Sequence, residues 1–134
     1  LISTCDRQEN TMLQAGKAVK VTIYLAEGGT HHHVPVYQCM LDFLVHSGVA
    51  GATVMKGVAG FGAEHRIHAA HRLDLSDRLP LKIEFIETRE KVESLLDRLS
   101  ELCGTGLIEM QETTVVKPAG APQGGSAGSG LASV

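Results

Sequence analysis

Tryptophan is absent from this sequence and aromatic residues make up only 4% of it, so any core must be aliphatic. Cysteines number three and are widely scattered, at Cys5, Cys39 and Cys103. An odd, dispersed set excludes a disulfide framework, and with no Cys-x-x-Cys pair it excludes a zinc knuckle; it fits a reduced, cytoplasmic protein. No apolar run approaches the roughly 20 residues that span a bilayer, and "LISTCDRQENTMLQ" lacks the apolar core of a secretory signal. Basic residues are outnumbered, giving a formal net charge of −3. That argues against a nucleic-acid binder, which needs a basic face to neutralise phosphates. Catalytic signatures are missing too. Ser47, Ser94 and Ser100 have no motif around them, Cys39 and Cys103 fall near apolar helix faces, and although Glu27 and Glu87 could pair, nothing marks either as a perturbed acid. An enzyme is not expected.

What is present is one domain's worth of chain, 134 residues with 43% hydrophobic. Residues 1–16 read as a loose, polar arm, with Met12 in position to serve as an alternative start. Residues 118–134, "PAGAPQGGSAGSGLASV", are a Gly/Ala/Ser/Pro tract that cannot bury enough surface to offset chain entropy and read as a disordered tail. Between them, over 17–117, one pattern occurs twice. Val19, Val21, Ile23 and Leu25 alternate with Lys20, Thr22 and Tyr24, the mark of a strand with one buried face. A helix follows, with Val36, Met40, Phe43 and Leu44 near one face, Pro35 in its first turn and Gly48 at its end. "ATVMKGVAG" resumes as a strand. After Pro80 the order repeats: Leu81, Ile83 and Phe85 alternate, and Thr88 is placed as an N-cap. Val92, Leu95, Leu96, Leu99 and Leu102 then form a helical stripe, Gly104 stops it, and "LIEMQETTVV" is the last strand.

Two such units predict an α+β, ferredoxin-like βαββαβ fold: a four-stranded antiparallel sheet with two helices on one face. The other sheet face would carry Thr22, Tyr24, Lys82, Glu84 and Ile86, a mixed surface suited to a partner subunit. The joint between the halves, residues 57–80, is long enough to be functional. It opens with "GVAGFGAEHRIHAAHR". Gly57, Gly60 and Gly62 would let the backbone take positive φ, come close to another group and form an anion nest; equally, they would make a bulge and turn, which the spacing alone favours. His65, His68 and His71 could bring a pair together on a helix, but Arg66 and Arg72 beside them suit an anion better than a metal. "THHHVP" at 30–35 reads as an exposed loop. No metal site is expected.

The runs "KVTIYLAEG", "GVAGATV", "KGVAGFG", "RIH" and "LSDRLPL" resemble the domain-of-unknown-function 190 family, over roughly residues 17–117. That family is similar in fold to the PII signal-transduction proteins. The resemblance implies a homotrimer with a loop between the second and third strands and an adenine nucleotide (ATP, ADP or AMP) in clefts between subunits. It also implies a regulatory role exerted on a partner, with a membrane channel or transporter suggested. The nucleotide-binding candidates are then Gly57, Gly60, Phe61, Gly62, Arg66 and His68, with Glu27 and Arg89 completing the set. The alternative is a metal- or small-ligand-binding trimer like the divalent-cation-tolerance proteins, working through histidines.

Overall fold

A computed structural model describes residues 12–71 and 78–120. The first long strand, β1, runs over Gly16–Ala26, followed by the two-residue strands β2 (Thr30–His31) and β3 (Val34–Pro35) and by helix α1 (Val36–His46). Strand β4 covers Ala52–Lys56, and two short strands follow, β5 (Ala59–Gly60) and β6 (His68–Ala69). Strand β7 (Pro80–Glu87), helix α2 (Arg89–Cys103) and strand β8 (Leu107–Val115) complete the order.

The four long strands form one sheet in the order β4-β7-β1-β8, with every neighbour antiparallel. Its register places Val21 opposite Phe85 and Ile23 opposite Ile83. These side chains are buried with Val19 against Met40 and Leu44 of α1 and Val92, Leu95, Leu99 and Leu102 of α2. Both helices therefore lie on one face, and the expected ferredoxin-like architecture is what the chain forms. Each fully buried aliphatic side chain contributes about 1.5–3 kcal/mol. With no tryptophan and few rings, the core depends on many such residues.

The helix ends follow from local chemistry. Pro35 stands just before α1 rather than inside its first turn, with no side-chain cap. At the other end Gly48 takes φ 77°, Gly48 N–H donates to Val45 O (3.1 Å) and Val49 N–H to Leu44 O (3.1 Å). This is a Schellman closure, which needs a residue that tolerates a left-handed backbone. Thr88 caps α2, its Oγ1 accepting from Lys91 N–H at 3.2 Å, with Glu90 in the first turn where the helix dipole favours it.

Opposite the helices, Lys20, Thr22 and Tyr24 face Ile86, Glu84 and Lys82 across the β1–β7 ladder. Glu84 sits between Lys82 (3.1 Å) and Lys20 (3.6 Å). The Lys82 hydrogen bond, with the Lys20 charge adding to it against some desolvation, holds the Glu84 carboxyl below the usual carboxylate range. Because the folded value is the lower one, this contribution is complete above the ordinary glutamate pKa and is lost as pH falls through the depressed value. Around the triad lie exposed Tyr24, Met55 and Leu107, so the face is mixed, as the alternation predicted.

The triple histidine is exposed at His32 and His33, and the loop there is a tight hairpin. Thr30 pairs with Pro35 and His31 with Val34, leaving His32 and His33 as the two turn residues. Both have positive φ, 49° and 67°, the condition for the mirror-image turns that join two strands. The expected loose arm and tail lie partly outside the described residues; among those described, β1 starts at Gly16 and β8 ends at Val115.

Candidate functional site

The connection between β4 and β7 is anchored where it leaves the sheet. Gly57 N–H donates to Pro80 O at 2.7 Å, and Ala70 N–H to Val58 O at 2.8 Å. Between these bonds β5 and β6 form a small ladder, Ala59 opposite Ala69 and Gly60 opposite His68. The segment from Phe61 to Ile67 is its tip, closed by His65 N–H donating to Gly62 O at 2.9 Å. Six of the eight candidate residues are thus gathered on one hairpin: Gly57, Gly60 and His68 in its stem, Phe61, Gly62 and Arg66 at its tip. Phe61 is 66% exposed and stacks on His65, ring centroids 6.2 Å apart; Arg66 is exposed.

Of the two reasons expected for the glycines, close approach and positive φ, the structure shows the first at two positions and the second at none. Gly57, Gly60 and Gly62 are not in the left-handed region; the tip's positive φ belongs to His65, at 55°. What Gly57 and Gly60 allow is close approach. A β-carbon would lie 2.8 Å from the Pro80 ring at position 57 and 3.0 Å from it at position 60. Gly62 has nothing within 4 Å of where its β-carbon would be, so only there does packing leave the absence of a side chain unexplained. The histidines form no helical cluster either: His65 is in the turn and His68 on β6. Among the described residues, no group of three or more His, Cys, Asp or Glu could hold a metal ion. Arg72 lies outside the described residues.

Beside the stem is the turn that follows β1. Glu27 N–H donates to Leu79 O at 2.9 Å, and its carboxylate forms an ion pair with Lys56 at the end of β4. Since β7 lies between β4 and β1, this pair spans the start of the central strand. Gly28 has φ 94°, and the Arg78 side chain runs directly over it; a β-carbon there would lie 3.0 Å from Nε and 3.2 Å from Cδ. Sequence reasoning did not single out Arg78. Its signal was the Gly28–Gly29 pair, which leaves room for a side chain arriving from about 50 residues further on, a distance no local pattern covers.

Arg89 is elsewhere. It begins α2 and pairs with Glu112 at 3.2 Å, beside an open groove of about 440 Å³ lined by Lys17, Thr88, Thr113 and Thr114. Val19 opposite Glu87 marks that end of the β1–β7 ladder and Ala26 opposite Pro80 the other. Seven residues of strand separate them, roughly 23 Å at about 3.3 Å per residue. One chain therefore cannot bring Arg89 and the hairpin to the same small ligand. Glu27 and Glu87 likewise lie at opposite ends and do not pair. Glu87 is fully buried, accepting from Ala50 N–H at 2.7 Å and Thr88 N–H at 3.2 Å.

Comparison with known proteins places this geometry. A family model, DUF190, described as "Uncharacterized ACR", matches residues 18–115. A UPF0166 protein of Methanocaldococcus jannaschii is 32% identical over 105 residues, covering 75% of this chain and 94% of that one. A UPF0166 protein of Aquifex aeolicus is 28% identical over 94 residues, covering 70% and 89%. Among solved structures the fold is similar to CPII of Thiomonas intermedia K12, a nitrogen regulatory PII-like protein. Its complex with ADP, AMP and bicarbonate aligns with a TM-score of 0.56 at 22% identity, over 78% of this chain and 93% of that one. Its apo form aligns at 0.52 and 21%, over 78% and 98%. Among the described residues no helix is long and apolar enough to cross a membrane.

Proposed function

The chain belongs to the DUF190 family, and on that premise we propose that it is a PII-like regulatory protein: a homotrimer that binds an adenine nucleotide in clefts between subunits and docks on a partner, a membrane channel or transporter being the class considered. The observation that carries this is the exposed tip of the β4–β7 connection, where an unobstructed glycine, Gly62, stands four residues before the exposed Arg66. The same fold in CPII is found with ADP and AMP. An arginine fork grips phosphate oxygens with two donors, and a glycine lets the ligand approach the backbone. The separation of Arg89 from the hairpin supports a shared cleft. In a ring of subunits, the Arg89 end of one chain can meet the hairpin of the next, and the mixed outer sheet face supplies the surface to be covered.

The test is calorimetric titration of ADP into wild type, Arg66→Ala and Gly62→Val, with light scattering to give the mass in solution. Charge-assisted hydrogen bonds contribute on the order of 1.5–3 kcal/mol, so Arg66→Ala is expected to weaken binding about tenfold to a hundredfold. Gly62→Val is the cleaner glycine variant, because a side chain there meets nothing in the fold, whereas Gly60→Val would strike Pro80. His71→Ala should change little. Absence of ADP binding by wild type at millimolar concentration, or a monomeric mass, refutes the reading.

A further inference from the structure

We propose that Arg78 is a second anion-gripping residue, and that Glu27 holds Lys56 as a counter-ion which a bound polyphosphate group displaces. The ligand class rests on the nucleotide reading above; the site itself rests on the geometry at the base of the hairpin.

Three observations converge there. First, the Arg78 side chain runs close over Gly28, where a β-carbon would crowd its Nε at 3.0 Å and its Cδ at 3.2 Å. The stem is braced on backbone, which lowers the rotamer entropy lost when the guanidinium closes on a ligand. Second, among the described residues Arg78 has no carboxylate within ion-pair reach, whereas Lys56, Lys82, Arg89, Lys91 and Arg98 each have one. The residue is exposed and, among the described residues, its charge is unpaired. Third, the neighbouring cation is neutralised by a single, partly exposed carboxylate: Lys56 pairs with Glu27, their side chains 52% and 34% exposed. An exposed pair of this kind is worth little in water, so a ligand carrying two or more negative charges can take Glu27's place.

These groups surround the point where β1, β4 and β7 end together. Glu27 N–H donates to Leu79 O and Gly57 N–H to Pro80 O, so the two residues that follow Arg78 are held by the neighbouring strand ends. The stem glycines Gly57 and Gly60 pack on the next residue but one, Pro80. The chain that carries Arg78 is thereby tied to the hairpin that carries Arg66. A polyphosphate gripped by Arg78 at the base of the connection would take Lys56 as a further cation once Glu27 gives way.

Calorimetric titration with inorganic tripolyphosphate, and separately with ADP, tests this in the full-length protein at low and moderate salt. Arg78→Ala should weaken tripolyphosphate binding about tenfold or more, and Arg78→Lys should recover part of it, because the charge returns without the fork. Glu27→Gln should tighten it about threefold at low salt and less at moderate salt, since it removes a screened competitor. Arg98→Ala, remote on α2, should leave it unchanged. Tripolyphosphate binding that is the same in Arg78→Ala as in wild type overturns the inference, as does failure of wild type to bind tripolyphosphate; either can occur with ADP binding intact, which leaves the nucleotide reading standing. Tripolyphosphate binding that depends on Arg78, without ADP binding, supports the site and refutes the nucleotide.

Discussion

Glu87→Ala is expected to lower the melting temperature by more than ten degrees at fixed protein concentration. Glu87 is a fully buried carboxylate that accepts from Ala50 N–H and Thr88 N–H. Lys91, one turn into α2, lies 3.8 Å from it and donates to Gly48 O at 2.9 Å. Acid and base together hold the Gly48–Ala50 backbone, the turn through which α1 passes into β4. Truncation leaves two amide donors without their acceptor and Lys91 without its counter-charge, a combination that costs about 3–5 kcal/mol when buried. One kcal/mol moves the melting temperature of a domain this size by roughly 4–8 °C. Glu87→Gln keeps the shape and one acceptor but turns an N–H toward an N–H, and should fall between. Melting curves of the three proteins decide it. A Glu87→Ala protein that melts within two degrees of wild type would mean that the turn is held by something else.

Gly106→Ala should also be strongly damaging, for a steric reason. A β-carbon at position 106 would lie 2.4 Å from the Tyr24 carbonyl oxygen, 2.7 Å from Cys103 Sγ and 3.0 Å from Leu25 Cδ2. The first of these atoms belongs to the backbone of the central strand β1 and cannot swing aside. The α2–β8 turn would have to shift, breaking the Gly106 N–H to Cys103 O bond of 3.0 Å and pulling Leu107 out of register with Tyr24. Overpacking of this kind costs typically 1–3 kcal/mol or more. The expected result is a drop of about ten degrees or insoluble expression. Gly51→Ala, where nothing lies within 4 Å and the backbone is not in the left-handed region, should cost much less. Equal melting of the two variants would contradict this assignment.

The parts of the fold that could be read from the sequence are those fixed by neighbours within a few positions. Val19, Val21 and Ile23 announce a one-faced strand; Val92 to Leu102 announce a helix. Gly48 and Thr88 end and begin helices by local hydrogen bonds. Glu87 was within reach of the same reasoning: it continues the inward series Leu81, Ile83, Phe85 at a spacing of two, and only its charge argued otherwise. What could not be read depends on chain segments far apart in sequence. Glu27 meets Lys56, Gly28 meets Arg78, and Gly57 meets Pro80, and no periodicity encodes such encounters. For the candidate site, Gly57, Gly60, Phe61, Gly62, Arg66 and His68 were legible as a group because they are contiguous. For two of the glycines close approach was legible but its neighbour was not, since the proline ring comes from a distant part of the chain. Arg89 was named for a cleft between subunits, and within one chain the ladder register puts it at the other end of the sheet from the hairpin.

Pro80 has a consequence for how this sequence can drift. Its ring fills the space that β-carbons at positions 57 and 60 would need. The three positions are therefore coupled: a side chain at 57 would force the ring to shift, one at 60 would press on it, and loss of the ring removes both clashes at once. The order of changes matters, and the path through Pro80 is the one that stays open.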